Sequence, residues 1–263
     1  MQEYKFSIVP WISWKTYFVN DTQITIIFEQ RTECYYLLYN TLSVCWNDIN
    51  NKTSICLSEI QNLSLLISDG VINLNLSEIQ YDIRCNSIIK TKELPEYILN
   101  NIKIKGYIFD VHWDLTNRCN AKCVHCYNSH AHDGTRNNSR DELSFNEAIK
   151  LVDNLDYLGV FRIVLSGGEA STKEYFLELC DYIRKKHINL IIYSNGLLLN
   201  TTTIRKLSNI YPYSVCISAY GPNSVIHEAI TQVKGSYIKV LSCLKELKRC
   251  QIHTCHKNTL LSL

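Results

Sequence analysis

The stretch YIFDVHWDLTNRCNAKCVHCYNS, residues 107–129, decides the fold of this 263-residue chain. Residues 107–116 predict a strand that leads directly into a polar loop. That loop carries Cys119, Cys123 and Cys126 in a C-x3-C-x2-C spacing, with no fourth cysteine beside them. The spacing poses a chemical question, because a structural zinc site normally uses four protein ligands.

Downstream of Gly106 the sequence alternates between strand and helix patterns. Three more strands are predicted, at residues 161–166, 190–194 and 213–218. Four helices are predicted among them: one after the capping box Ser144–Glu147, one from the capping box Ser171–Glu174 to Lys186, one around 204–207 and one over 236–249. Four strand–helix units indicate an α/β fold, either a partial (β/α) TIM-type barrel or an open doubly wound sheet.

Unusual polar and glycine residues follow each predicted strand. The cysteines follow the first strand, and the later groups are Ser166, Gly167, Gly168 and Glu169, then Ser194, Asn195 and Gly196, then Ser218. The carboxyl ends of neighbouring parallel strands lie at one rim of the sheet. We therefore expect these loops to meet and to form the functional site.

The three cysteines fit two kinds of metal site. Three cysteines suit a [4Fe-4S] cubane that leaves one iron without a protein ligand, where a cofactor's amine and carboxylate could bind. The alternative is a zinc site that takes His125, His130 or His132 as its fourth ligand. Twelve cysteines without a secretion signal argue against a disulfide framework.

The later loops suit a bound cofactor. Gly167 and Gly168 would let the backbone pass close to a ligand, and Glu169 would meet its ammonium group. Ser194 and Asn195 could hydrogen-bond a ribose or a carboxylate. Gly-Gly and Asn-Gly are also common in plain turns, so neither motif is specific alone.

Bulk composition excludes several classes of partner. Hydrophobic residues make up 46% of the chain, and the formal net charge is +2. This charge balance gives no indication of a nucleic-acid partner, because nucleic-acid-binding proteins normally carry a concentrated basic surface. No apolar run predicts a membrane span, and no signal peptide is evident, so we expect a cytoplasmic protein.

Residues 1–85 predict a separate winged-helix-like α+β module. Residues 23–28 and 34–39 indicate a hairpin, and 40–49 a helix. A second helix is predicted after Thr53, with Ile55 facing inward, and the Asp-Gly of 68–76 predicts a hairpin turn. A linker is expected at 86–105, followed by the α/β domain at 106–263.

At the cysteines the sequence resembles the radical S-adenosylmethionine (SAM) superfamily, whose pattern is C-x3-C-x-Φ-C. The resemblance implies a [4Fe-4S] cluster on Cys119, Cys123 and Cys126, whose open iron chelates the methionine part of SAM. One electron from the reduced cluster would cleave the sulfonium and give a 5′-deoxyadenosyl radical. Cofactor contacts are implied for His125 through its backbone and for the residues Gly167, Gly168, Glu169, Ser194, Asn195 and Ser218.

The segment SAYGPNSVIHEAITQVKGSY, residues 218–237, resembles the SPASM-like, peptide-modifying branch of that superfamily. Residues 24–49 resemble a PqqD-like recognition module, in which a leader peptide pairs with an exposed strand. This implies maturation of a ribosomally synthesised peptide, with a one-electron donor such as a flavodoxin or ferredoxin. The residues that set the product chemistry stay unidentified.

The chain ends sooner than such maturases usually do. We expect a C-terminally truncated barrel, because the sequence stops where a fifth strand should begin. This leaves two alternatives open: a catalytically inactive protein that still binds a peptide, and a zinc-binding α/β protein.

Overall fold

The computed structural model describes residues 3–19, 21–74, 88–128 and 142–257. His130 and His132, the alternative zinc ligands, lie outside these ranges. The chain divides into two compact units, Met1–Phe109 and Asp110–Leu263, and each has a hydrophobic core of its own. Among the described residues, no helix has the length and apolar character needed to cross a membrane.

The first unit is an antiparallel β module with short helices. Its strands are β1 (Glu3–Ile8), β2 (Ile12–Val19), β3 (Thr22–Glu29), β4 (Cys34–Tyr39), β5 (Ser54–Cys56), β6 (Ile72–Leu74) and β7 (Ile89–Thr91). Its helices are α1 (Thr41–Ile49), α2 (Leu57–Asn62), α3 (Ser64–Ser68) and α4 (Glu96–Ile104). One sheet has the order β2-β3-β4-β7, and a second has the order β5-β1-β6.

The local predictions for the centre of this unit are confirmed. β3 and β4 form the expected antiparallel hairpin, with Ile27 opposite Tyr36. The expected helix follows as α1, and it buries Trp46 completely in the core. Trp46 packs edge-on against Trp14 of β2, with 6.1 Å between the ring centroids.

Two predictions for this unit were wrong, and the segment expected as a linker contains regular structure. The helix expected after Thr53 begins only at Leu57, because residues 54–56 pair with β1 as a strand and Ile55 lies opposite Tyr4. The Asp-Gly of residues 69–70 joins α3 to β6 rather than two strands. The expected linker at 86–105 holds β7 and α4, whose Ile98 and Ile102 are buried.

The second unit is a parallel sheet with helices between its strands. Its strands are β8 (Asp110–Asp114), β9 (Arg162–Ser166), β10 (Asn189–Ser194), β11 (Ser214–Ser218) and β12 (Thr254–Lys257). Its helices are α5 (Phe145–Tyr157), α6 (Phe176–Lys185), α7 (Thr201–Ile210), α8 (Ser224–Thr231) and α9 (Ser236–Arg249). The strand order β12-β11-β10-β9-β8 follows the chain, and every neighbouring pair is parallel. The predicted α/β fold is confirmed.

Two details of this unit differ from expectation. A fifth strand, β12, does form, and it pairs with β11 so that Cys255 lies opposite Cys216. The Ser144–Glu147 capping box is present, but Ser171 does not cap a helix. It lies in a 3-10 turn at Ala170–Thr172, where its amide and hydroxyl both bind the Glu169 carboxylate, and α6 begins after Tyr175.

Candidate functional site

The cysteine loop, residues 115–128, leaves the carboxyl end of β8. Cys119, Cys123 and Cys126 are free thiols, each half-buried. Burial raises the pKa of Cys119, and burial together with the neighbouring thiols raises the pKa of Cys123 to about 11. These two thiols are therefore protonated at neutral pH in the metal-free chain, and metal binding must displace their protons.

Main-chain hydrogen bonds fix the cysteine loop against the end of α8. The amide of Lys122 donates to the carbonyl of Thr231 at 3.1 Å, and the amide of Val124 donates to the carbonyl of Ile230 at 2.9 Å. The Thr231 hydroxyl is hydrogen-bonded to Ser236 at 2.8 Å. The end of α8 and the start of α9 thus hold the stretch between the first and third cysteines.

The Ser-Gly-Gly-Glu loop after β9 also docks against the cysteine loop. The amide of Gly168 donates to the carbonyl of Thr116 at 2.7 Å, and the amide of Glu169 donates to the carbonyl of Arg118 at 2.8 Å. A Cβ on Gly168 would stand 2.3 Å from the Arg118 oxygen, and one on Gly167 would stand 2.4 Å from the Thr116 oxygen. The close approach that requires these glycines is therefore to the backbone of the cysteine loop.

The Glu169 carboxylate accepts hydrogen bonds from two of the loops at the rim. It is 2% exposed, and Oε1 accepts hydrogen bonds from the Ser194 hydroxyl at 2.8 Å and the Ser171 hydroxyl at 2.5 Å. Oε2 accepts the amide of Asn195 at 2.6 Å. Burial raises the pKa of Glu169, although these donors oppose the rise. One carboxylate thus joins the loops that follow β9 and β10.

Asn195 links the loop after β10 to the cysteine loop. Its side-chain Nδ2 donates to Asn120 Oδ1 at 2.6 Å and to the Cys119 sulfur at 3.7 Å. Three of the loops expected at the rim therefore meet through direct hydrogen bonds. The loop after β11 reaches the cysteine loop through Tyr220, whose hydroxyl lies 3.2 Å from His125 Nε2. Ser218 is hydrogen-bonded to that Tyr220 within its own loop.

An aromatic cluster that sequence reasoning missed contacts the cysteine loop at His125. The Tyr220 hydroxyl lies 3.2 Å from His125 Nε2. The backbone amide of Tyr220 donates to His227 Nδ1 at 3.1 Å. His227 is 1% exposed, and burial lowers its pKa. His125 and Tyr220 pack edge to face with ring centroids 4.8 Å apart. The only signal in the sequence was the resemblance of residues 218–237, which assigned no contact.

Glu142 is a second residue that sequence reasoning missed. Its carboxylate accepts from the Thr116 hydroxyl at 2.6 Å and the Asn117 amide at 3.0 Å, and it pairs with Lys173 at 2.8 Å. Burial alone would raise the pKa of Glu142, but these partners outweigh it and lower the pKa. Glu142 therefore fixes the start of the cysteine loop, although it lies far from that loop in sequence.

The three free thiols lie on one loop that main-chain hydrogen bonds anchor on both flanks. In a cubane each cysteine binds a different iron, so three cysteines on one loop fit an iron–sulfur cluster. Over the described ranges, no three His, Cys, Asp or Glu side chains converge on a single point as ligands of one metal ion. Two of the alternative zinc ligands, His130 and His132, lie outside those ranges.

Comparison with known proteins supports the same assignment. The sequence profile of the Radical SAM superfamily matches residues 113–262. Fe-coproporphyrin III synthase of Methanosarcina barkeri is 34% identical over 161 residues, covering 61% of this chain and 38% of that protein. Mycofactocin maturase MftC of Mycolicibacterium smegmatis is 31% identical over 135 residues, covering 51% and 33%. The chain spans less than two fifths of the length of these curated relatives.

Among solved structures, Streptococcus suis SuiB bound to the precursor peptide SuiA matches with a TM-score of 0.57 at 14% identity, over 98% of this chain and 58% of that one. That likeness shows the fold. Radical SAM enzymes use SAM and a [4Fe-4S] cluster. The profile match spans more than half of the chain and includes all three cysteines, so this protein belongs to the radical SAM superfamily.

Proposed function

We propose that this chain is a cytoplasmic radical SAM enzyme that modifies a ribosomally synthesised peptide. The observation that carries the radical SAM part is the interlocking of three loops around the cysteines. Glu169 joins the loops after β9 and β10, and Asn195 reaches from the second of these to Cys119. These contacts bring the Cys119 thiol, the Glu169 carboxylate and the Ser194 hydroxyl together at one rim of the sheet.

The residues of the rim have distinct roles in this proposal. Cys119, Cys123 and Cys126 hold the cluster, which with bound SAM supplies a 5′-deoxyadenosyl radical. Glu169 Oε2 accepts the Asn195 amide at 2.6 Å, and a carboxylate oxygen can accept a second donor. We place the ammonium group of SAM there.

The remaining rim residues orient the cofactor. Gly167 and Gly168 bring the loop backbone to the cysteines, and His125 offers its backbone to the adenine. Ser194, Asn195 and Ser218 stand at the ends of β10 and β11, where they contact the carboxylate or ribose. The electron comes from a donor such as a flavodoxin or ferredoxin.

A peptide substrate is supported by two observations. The similarity to mycofactocin maturase covers about half of the chain. The first unit is an antiparallel module, and strand β7 stands at one edge of its four-stranded sheet, with Ile89 46% exposed. A leader peptide that adds a strand to such an edge gains backbone hydrogen bonds. We propose that the first unit binds the leader in this way.

A tetrapyrrole substrate is the second candidate. It is favoured by the 34% identity to Fe-coproporphyrin III synthase over 161 residues. The two substrates are separated by offering the reconstituted protein, with SAM and dithionite, either a precursor peptide encoded beside its gene or an iron coproporphyrin. A mass change in the peptide supports the first proposal, and a change in the porphyrin supports the second.

Anaerobic reconstitution with iron and sulfide tests the cluster itself. We expect about four irons per chain, as for one cubane, and formation of 5′-deoxyadenosine from SAM. Cys126→Ala should abolish both, whereas Cys250→Ala, at a half-buried cysteine outside the loop, should abolish neither. Zinc in place of iron, or a Cys126→Ala protein that still cleaves SAM, would contradict the proposal. Peptide binding without SAM cleavage would indicate an inactive binding protein.

A further inference from the structure

Asn195 has a side-chain orientation that the surrounding hydrogen bonds determine. Its Oδ1 accepts the backbone amide of Leu197 at 3.0 Å, and a backbone N–H can only donate. Nδ2 must therefore point the other way, toward Asn120 Oδ1 at 2.6 Å and the Cys119 sulfur at 3.7 Å. The amide cannot rotate by 180° without placing its NH2 group against the Leu197 N–H.

The backbone of Asn195 is held equally firmly. Its amide donates to Glu169 Oε2 at 2.6 Å, and the preceding Ser194 hydroxyl donates to Oε1 of the same buried carboxylate at 2.8 Å. The side chain that reaches Cys119 thus starts from a fixed point. A donor held by its surroundings makes a persistent hydrogen bond, because little conformational entropy is lost when it forms.

The Cys119 sulfur accepts a second N–H group from its own loop. The amide of Ala121 donates to it at 3.4 Å. Hydrogen bonds to cysteine sulfurs are among the factors that set the potential of an iron–sulfur cluster. They draw charge from the thiolate and so favour the reduced form, which carries one more electron. Removing one should make the cluster harder to reduce.

We propose that Asn195 is a positioning residue whose side-chain N–H group binds the Cys119 thiolate and raises the reduction potential of the cluster. This role goes beyond the cofactor contact expected for Asn195 from the sequence. It rests on the proposed function, since it presumes a cluster held by the three cysteines. The potential matters because the reduced cluster must give up its electron to a substrate that resists reduction.

The test is a redox titration of the reconstituted full chain in the absence of SAM, in which electron paramagnetic resonance measures the reduced cluster. Asn195→Leu removes the donor at similar size and without adding charge. Asn195→Asp keeps the acceptor for the Leu197 amide and is the variant more certain to fold. Asn128→Leu is the matched control, because Asn128 lies on the same loop but donates to an oxygen, that of Asn117, at 3.3 Å.

We expect the midpoint potential to move to a more negative value in Asn195→Leu and further in Asn195→Asp, with Asn128→Leu unchanged. Wild-type potentials in both Asn195 variants would overturn the inference while leaving the proposed function intact. Loss of iron from both, with the control loaded, would also overturn it, since Asn195 would then only hold the loop. A wild-type protein that binds no iron would refute the proposed function itself.

Discussion

Gly168→Ala tests whether the docking of two loops builds the site. The added Cβ would lie 2.3 Å from the Arg118 oxygen and 2.7 Å from its carbonyl carbon, both backbone atoms. Ordinary contact begins at 3.4 Å, so the loops must separate by about 1 Å. Gly168 does not have a positive φ, so the substitution adds a steric contact without backbone strain.

The cost follows from the hydrogen bonds that such a separation breaks. The Gly168 and Glu169 amides both donate to the cysteine loop, at 2.7 and 2.8 Å. Each backbone hydrogen bond contributes about 0.5–1.5 kcal/mol net, so losing two costs about 1–3 kcal/mol. Since about 1.4 kcal/mol corresponds to a factor of ten, the docked arrangement becomes roughly 5- to 150-fold less populated.

Iron content after anaerobic reconstitution, measured beside the thermal unfolding midpoint, reports the effect. We expect Gly168→Ala to lose most of its iron. Gly70→Ala, between α3 and β6 in the first unit, is the matched control: its Cβ would meet no atom within 4 Å, and only its φ of 72° makes the substitution unfavourable, by about 1–2 kcal/mol. The control should lose some stability and keep its iron. Full iron loading and unchanged stability in Gly168→Ala would refute the reasoning.

Two further predictions concern pH and peptide binding. Burial lowers the pKa of His227 below its ordinary 6.5, so unfolding takes up a proton, and the free energy of unfolding should fall as the pH drops below about 6.5. His227→Gln should flatten this part of a melting-temperature series. Parallel curves for wild type and His227→Gln would contradict the prediction. Ile89→Lys at the edge strand β7 should weaken binding of the encoded precursor peptide to the full chain about tenfold in a fluorescence-anisotropy titration, on the scale of one lost apolar contact. Ile104→Lys, at an isoleucine 79% exposed on α4, should leave it unchanged, and equal affinities for both variants would remove β7 from the proposal.

Local patterns predicted the elements whose causes are local. The β3–β4 hairpin, α1, α5 with its capping box and α9 follow from residue type and spacing within one short segment. Ser171 shows where such reasoning ends. Its sequence context has the form of a capping box. However, the Ser171 amide and hydroxyl both donate to the buried carboxylate of Glu169, two residues earlier, instead of capping a helix.

The expectation that the chain stops before a fifth strand failed for a related reason. Residues 254–257, Thr-Cys-His-Lys, have no strand pattern of their own. They become β12 because β11 offers backbone groups along its edge, with Val215 opposite Thr254 and Ser218 opposite Lys257. Backbone hydrogen bonding to an existing sheet does not depend strongly on side-chain type, so the sequence alone carried little sign of it.

The sequence by itself determined the alternation of strands and helices, and with it the rim at which the polar loops meet. It also indicated the kind of metal centre, because three cysteines without a fourth suit a cluster with one open iron. Only the tertiary structure decided what each rim residue contacts. Gly168 approaches the backbone of the cysteine loop, Glu169 joins two loops, and Asn195 reaches a cysteine sulfur. These contacts join residues that are far apart in the chain, and local spacing holds no information about which of them meet.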